Sequence, residues 1–509
     1  MSKTELIHYP SGPLKPQLNG MRPPTEAPDA ILGAQPLKGR RSRLASKDKE
    51  ATRYLAAATQ IDLRYAERVV EKVQHERFRA LAPAFGADVA IVTKWALAAV
   101  RRRGRRDMTL AALLGLSILL VWLFHNLLPI AVIIVISWTV ISWEHWDRIH
   151  NTVTRKMLRN RFQLDDAPDP PAESDRDRLR KVAERRDGNL VVFSGHSAFI
   201  GSGRTLYPRR LVLDVSRGEE TEDGVPQDPL EFTSRDVHQA LMRAFGDEGL
   251  GDMRSGLANI FVEERLFVNG LHIQPDRRLL PRQFEPPPTL VDERLLQAAT
   301  LYPTPDARTY VCVEMPGWQG QLVVSLFARA VHAGGCLYIE WTFRVLPPLR
   351  REYLQVDKLF EQPGYLQLKS SLWVGLRGVL PALLTSPYQV LRICRKSWAA
   401  HVHYRRQSSQ ITRGYVFDYG ARRSIREDAC GRERHHYFLA QDEAMYVLLA
   451  QQTLLQAVEN FLREHQVSLS QFNDQVKIIV DQSIKVQGSG NVIGDSSSAT
   501  VTGAPRDNG

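Results

Sequence analysis

The stretch Met108–Trp143 reads MTLAALLGLSILLVWLF, then HN, then LLPIAVIIVISWTVISW, with no Asp, Glu, Lys or Arg inside it. Each apolar run, about 17 residues at roughly 1.5 Å per residue, rises about 25 Å, the short end of what crosses a bilayer. In hydrocarbon a single segment satisfies its backbone polar groups only as a helix. The stretch is therefore expected to be a two-helix transmembrane hairpin. His125 and Asn126 make its turn, and Pro129 stands where a helix can start without an N–H. Trp122 near the turn, and Trp138, Trp143 and Trp146 toward the other end, suit interfacial belts. The competing reading is a buried helical hairpin in a soluble core.

The flanks argue against that reading. Arg101, Arg102, Arg103, Arg105 and Arg106 precede the hairpin, and Arg148, Arg155, Lys156, Arg159 and Arg161 follow it, while the turn carries no Lys or Arg. Short basic segments stay in the cytoplasm. The expected location is the cell membrane, multi-pass with two spans, both termini cytoplasmic. The chain's 67 Lys and Arg exceed its 56 Asp and Glu. Much of that excess sits beside apolar segments, where anionic lipid headgroups attract it, so the lipid bilayer is the expected partner and nucleic acid is not. Cys312, Cys336, Cys394 and Cys430 form no CxxC pair, which excludes a zinc module and fits a reducing compartment. No apolar secretory core stands near Met1; the hairpin itself would direct insertion.

Outward from the hairpin, residues 1–52 are Pro-rich and basic and are expected to be disordered. Residues 53–107 read as cytoplasmic or interfacial helices. Within them GADVAIVTKWALAAV (86–100) is too short to span and would lie in the interface or pack on neighbours. A basic juxtamembrane helix and linker (144–187) include LDDAPDPPAESDRDR, which is expected to release the chain. Residues 188–346 read as a cytoplasmic α+β domain. It opens on the strand NLVVFS and holds a helix from Thr233 with Val237, Leu241 and Phe245 on one face. NIFVEERLFVNG (259–270) is a strand pair or one bent strand. ARTYVCVEM, Gln321–Ala333 and Cys336–Val345 form an antiparallel meander, the last two strands joined at Gly334-Gly335. In the third strand Leu337, Ile339, Trp341, Phe343 and Val345 alternate with Tyr338, Glu340, Thr342 and Arg344, so one face is core.

Residues 347–470 form an amphipathic, helical region. Within it 366–406 are apolar but interrupted by Arg377, Pro381 and Pro387, which suits an interfacial anchor or a pair of core helices rather than a third span. In 441–465, Met445, Leu448, Leu455, Val458 and Leu462 recur at helical steps, as a core face or a coiled-coil seam. Residues 471–509 alternate Val476, Ile478, Val480, then Ile484 and Val486, then Val492 and Val501, punctuated by Gly488, Gly490, Gly494 and Gly503. They read as a β-prone tail able to pair between copies, so self-association through helix 441–465 and this tail is expected. The fold class is α+β: a transmembrane hairpin, a domain with an antiparallel meander, a helical segment and a β-rich tail.

Catalytic signatures are sparse. HExxH and GxSxG are missing, adjacent His435-His436 reads as surface, and Glu263-Glu264 in a strand face opposite sides. The nearest phosphate-loop mimic is Ala198-x4-Gly203-Arg204-Thr205, but its lysine is an arginine and Pro208 precedes a β-rich run rather than a helix. Gly195, Gly201 and Gly203 would let backbone approach a ligand that His196 and Arg204 touch. No cofactor or metal is expected. The segment GNLVVFSGHSAFIGSGRTL resembles one in uncharacterised actinobacterial two-span membrane proteins, in which a strand leads into a similar "SG…FxGSG" loop. The resemblance implies a bacterial membrane protein and transfers no activity. His196 and Ala198 depart from its pattern. The function that follows is a membrane-anchored interaction or scaffold protein. The alternatives are a membrane-bound enzyme or ligand sensor at the Gly-rich loop, or a channel of oligomerised hairpins. Enzymatic activity stays open, with the balance against it.

Overall fold

The computed structural model describes residues 49–185, 188–219, 227–246, 260–359, 364–431 and 437–488. The Pro-rich segment 1–48, the pair His435-His436 and the tail beyond 488 lie outside these residues.

The two apolar runs form α3 (Val89–Phe124) and α4 (Leu128–Trp146) after two shorter helices, α1 (Lys49–Ile61) and α2 (Leu63–Val70). His125 turns left-handed, with φ 50°, and closes α3 by donating its N–H to Val121 O at 2.9 Å. Among the described residues, Val89–Phe124 and Leu128–Thr154 are long and apolar enough to cross a membrane. α3 begins well before its apolar run, capped by the Asp88 side chain on Ile91 N at 3.1 Å. Its first half is core, with Val89, Val92, Ala96 and Ala99 packed against Leu55, Tyr65, Ala66 and Val69. Of the two expectations for 86–100, packing on neighbours holds. Past Trp146, α4 loosens into wide π turns over Asp147–Thr154. The proline-bearing linker does not release the chain. Lys94 pairs with Asp169 at 2.7 Å, and α5 (Glu173–Glu184) is tied down by Arg101–Asp175 at 2.9 Å and by Arg178 donating to Val73 O and Glu76 O.

The strands are β1 (Leu190–Phe193), β2 (Arg204–Asp214), β3 (Phe261–Asn269), β4 (Ala307–Gly317), β5 (Leu322–Ala333) and β6 (Cys336–Leu346). They form one mixed six-stranded sheet in the order β1-β3-β4-β5-β6-β2, antiparallel except for β1 on β3. β4–β6 are the expected meander, and Gly334 and Gly335 take φ 59° and 74° at its tight turn, as a two-residue hairpin needs. The segment around 259–270 is one strand, not a pair. Leu337, Ile339, Trp341, Phe343 and Val345 face the core as the alternation requires. That core is closed by α6 (Ser234–Phe245), started by a Thr233–Asp236 capping box, and α7 (Glu293–Leu301) packs beside it under β3 and β4. After β6 come α8 (Gly364–Thr412), the short α9 (Ile425–Ala429), α10 (Tyr437–Glu464) and α11 (Ser470–Gly488). Leu454, Val458, Phe461 and Leu462 of α10 complete the sheet's core, which thus reaches beyond the boundary expected at 346. Met445 and Leu448 remain exposed.

The β-rich tail is corrected: Ser470–Gly488 is a helix. Phe472, Val476 and Ile479 recur at helical steps and pack on the sheet core, a period that the Val476/Ile478/Val480 alternation masks. Gln475 brackets Val212 in β2, donating to its carbonyl at 2.6 Å and accepting its N–H at 3.2 Å, while Gln471 accepts from Asp214 N at 3.0 Å. α11 thus closes an edge strand that would otherwise template another chain. Deleting residues 470–509 is expected to raise, not lower, the assembly size of the detergent-solubilised protein in light scattering. An unchanged or smaller mass would mean that the β2 edge needs no cover.

Candidate functional site

β1 and β2 are opposite edges of the sheet, five strand spacings or about 24 Å apart. The ten residues Ser194–Gly203 joining them extend to about 33 Å at most. The Gly-rich loop is consequently a strap laid across the second face of the sheet. Phe199 anchors its middle, stacked on Phe327 with centroids 4.2 Å apart and edge-on to Tyr310 and Phe267 at 5.1 and 5.2 Å. Gly201 and Gly203 take φ 91° and 83°, and a Cβ at either would fall on a backbone carbonyl, Pro83 O and Val345 O respectively.

The amides that could cradle a phosphate are already occupied. Gly201 N and Gly203 N donate to Glu427 Oε1 at 2.9 and 3.0 Å, and Glu427 also accepts from Ser424 N in the α9 capping box. The chain supplies its own anion. Arg204, offered as a ligand contact, pairs instead with Glu443 at 2.8 Å. Arg344 holds the strap from below, donating to Ser197 Oγ at 3.1 Å and to Gly203 O; burial lowers its pKa against the pull of Glu427. Gly195 and His196 stand exposed at the β1 end, away from this clasp. The five residues therefore divide: Gly201, Gly203 and Arg204 lie in the clasp, while Gly195 and His196 do not. Glu427 was legible in principle as the fourth residue of Ser424-Ile-Arg-Glu427, the S-x-x-E capping pattern.

Beneath the strap the second face is charged but paired. Arg265 is bonded to Glu314 at 2.8 Å and to Glu263; burial would lower the guanidinium, yet the two carboxylates outweigh it and hold it well above its ordinary value. Tyr310 donates to Glu340 at 2.7 Å, and burial with that carboxylate pushes the phenol up to about 12. On the core side His238 Nε2 accepts Ala330 N–H at 3.1 Å, so its Nδ1 donates to Glu264 at 2.7 Å. As the strand pattern requires, Glu263 and Glu264 serve opposite faces. Among the described residues no three His, Cys, Asp or Glu side chains converge as metal ligands.

The other constellation is the base of the apolar hairpin. Arg106 lies between Asp107 at 2.8 Å and Glu144 at 3.6 Å, and Arg102 donates to Thr152 at 3.0 Å, so the arginines that flank the apolar runs form one collar. Above the collar Met108, Ile118, Trp122, Phe124, Leu128 and Val135 are exposed. α8 packs against this hairpin: Gly375 sits on Ser142 too closely for any Cβ, Trp138 Nε1 donates to Leu372 O at 3.0 Å, and Val379 and Leu383 meet Leu110 and Ile141.

A family model, the AbeC-like domain, matches residues 208–497. It takes in β2 from Pro208 onward, then β3–β6, α8, α10 and α11, and leaves outside the hairpin, β1 and the strap. No curated protein and no solved structure matches the chain.

Proposed function

The chain belongs to the AbeC-like family, and on that premise we propose that it is a membrane-anchored scaffold: the hairpin spans a bilayer and holds the AbeC-like domain at the cytoplasmic face. The observation that carries this reading is the apolar surface left exposed by α3 and α4 above a collar of arginines. Contiguous apolar surface beyond a few hundred Å² is rare on soluble monomers. Basic residues on both flanks and none in the turn favour cytoplasmic ends. The resemblance of the strap segment to actinobacterial membrane proteins agrees with this. Partners would dock on the domain, where Met445 and Leu448 of α10 stay exposed, and anionic headgroups would meet the collar. Topology reporters fused at Met1 and Gly509 are expected to give cytoplasmic signals at both ends, with the chain resisting alkaline extraction. Signals on opposite sides, or release of the chain, overturn the reading.

An enzyme or ligand sensor at the strap meets a specific obstacle, since Glu427 must leave the Gly201 and Gly203 amides before an anion can enter. A channel is disfavoured because Ser117, Ser137 and Ser142 are buried in helix packing, leaving little to line an ion path.

A further inference from the structure

α8 is one helix through two prolines, Pro381 and Pro387. Between Lys369 and Arg392 its single charge is Arg377. Leu372, Trp373, Leu376, Leu380 and Leu384 of that run are exposed, Leu384 by 69 %. Held straight, the run would rise roughly 33 Å and could cross a bilayer. The contacts show that it does not run straight. Gly364 lies against His150, and Ile393 lies nearest Gly104, so both flanks return to the arginine end of the hairpin. Val379 and Leu383 between them reach Leu110 and Ile141, with Leu114 and Ile134 alongside. The helix climbs beside α4, bends where the prolines remove i→i−4 bonds, and descends beside α3.

We propose that the α8 bend is a re-entrant wedge seated in the leaflet on the arginine side, its exposed leucines covered by the acyl chains of that leaflet alone. The proposal rests on the hairpin spanning the bilayer. Four observations carry it beyond that reading. The exposed face of the bend is continuous with the hairpin's own apolar surface, through the cluster that joins Val379 and Leu383 to α3 and α4. The height fits, since Leu114 stands eight residues, about 12 Å, beyond Arg106, within a leaflet's roughly 15 Å of hydrocarbon. Basic residues close both arms in sequence, with Lys369 before the bend and Arg392, Arg395 and Lys396 after it. A carbonyl that the prolines free inside the bend is met without water. Ser386 Oγ donates to Leu383 O at 2.7 Å, the carbonyl that Pro387 leaves without its helical donor, and Arg377 folds back over the Trp373 ring at 3.1 Å, toward the collar.

The test is a depth measurement on the full chain. A nitroxide is placed at Leu384→Cys, and separately at Leu380→Cys, in a Cys336→Ser, Cys394→Ser background. Cys312 is buried and escapes labelling, and the half-buried Cys430 is replaced by Ser as well. The protein is reconstituted in phosphatidylcholine–phosphatidylglycerol vesicles, with Ile118→Cys as the lipid reference and Gln410→Cys as the water reference. Oxygen should relax the 380 and 384 labels at least several-fold more than a water-soluble nickel complex does, at depths shallower than 118. Water-like accessibility at 380 and 384 with lipid-like accessibility at 118 overturns the wedge and leaves the hairpin standing. Water-like accessibility at 118 as well means that the spanning reading itself has failed. Spin–spin broadening at 384 that dilution with unlabelled protein removes would assign this face to a second copy instead.

Discussion

Trp341→Ala should lower the unfolding free energy by about 3–5 kcal/mol, read as an earlier midpoint in chemical denaturation of the detergent-solubilised protein. The indole is 1 % exposed in β6, directly between Arg209 of β2 and Ala328 of β5. Its small neighbours, Ala328 and Ala330, leave the space that it fills, so truncation opens a cavity that β5 cannot close. Its Nε1–H has no partner among the described residues, so Trp341→Phe removes an unsatisfied donor while keeping most of the volume. The phenylalanine variant should lose only about 1–2 kcal/mol. A negligible effect from alanine would put the indole at the surface and the core on the other side of the sheet.

Gly203→Ala should cost about 3 kcal/mol or more, because two penalties add at one position. A residue with a Cβ at φ 83° is strained by roughly 1–3 kcal/mol, and that Cβ would also land on Val345 O in β6, a backbone atom that cannot swing aside. Gly195→Ala is the control: φ is 81°, but the space around its Cβ is open, so the backbone penalty alone should appear. A strap loses stability by this pattern, 203 well above 195. A ligand cradle would instead keep its melting point and lose binding.

The hairpin, the meander and the core face of β6 were legible because each follows from a strict pattern: uninterrupted apolarity, period-two alternation, or a glycine pair at a tight turn. The strap's course was not. It depends on β1 pairing with β3 and β2 with β6, long-range choices that leave no local mark, and on Glu427, more than 220 residues from the amides that it holds. The tail misleads because Val476, Ile478 and Val480 alternate while Phe472, Val476 and Ile479 step helically, and only the β2 edge decides between the two. In 366–406 the prolines lie inside a single continuous helix, where an interfacial anchor or a pair of core helices was expected.

The strap and the N-terminal helices also dictate an order of manufacture. Arg53 bonds Asp357 at 2.7 Å and Tyr65 bonds Ile425 O at 3.1 Å, across 304 and 360 residues. On the ribosome α1 and α2 emerge long before these partners exist: their apolar faces can pack on the first half of α3, but the Arg53 guanidinium and the Tyr65 hydroxyl must wait while the hairpin and then the whole sheet are synthesised. Closing so wide a loop late makes assembly slow for the chain's size. A ribosome stalled between residues 360 and 420 would therefore leave the sequence for the hairpin and the sheet complete but the Tyr65 hydroxyl and the Gly201 and Gly203 amides without their acceptors, a target for chaperones and proteases that vanishes once Ile425 and Glu427 arrive.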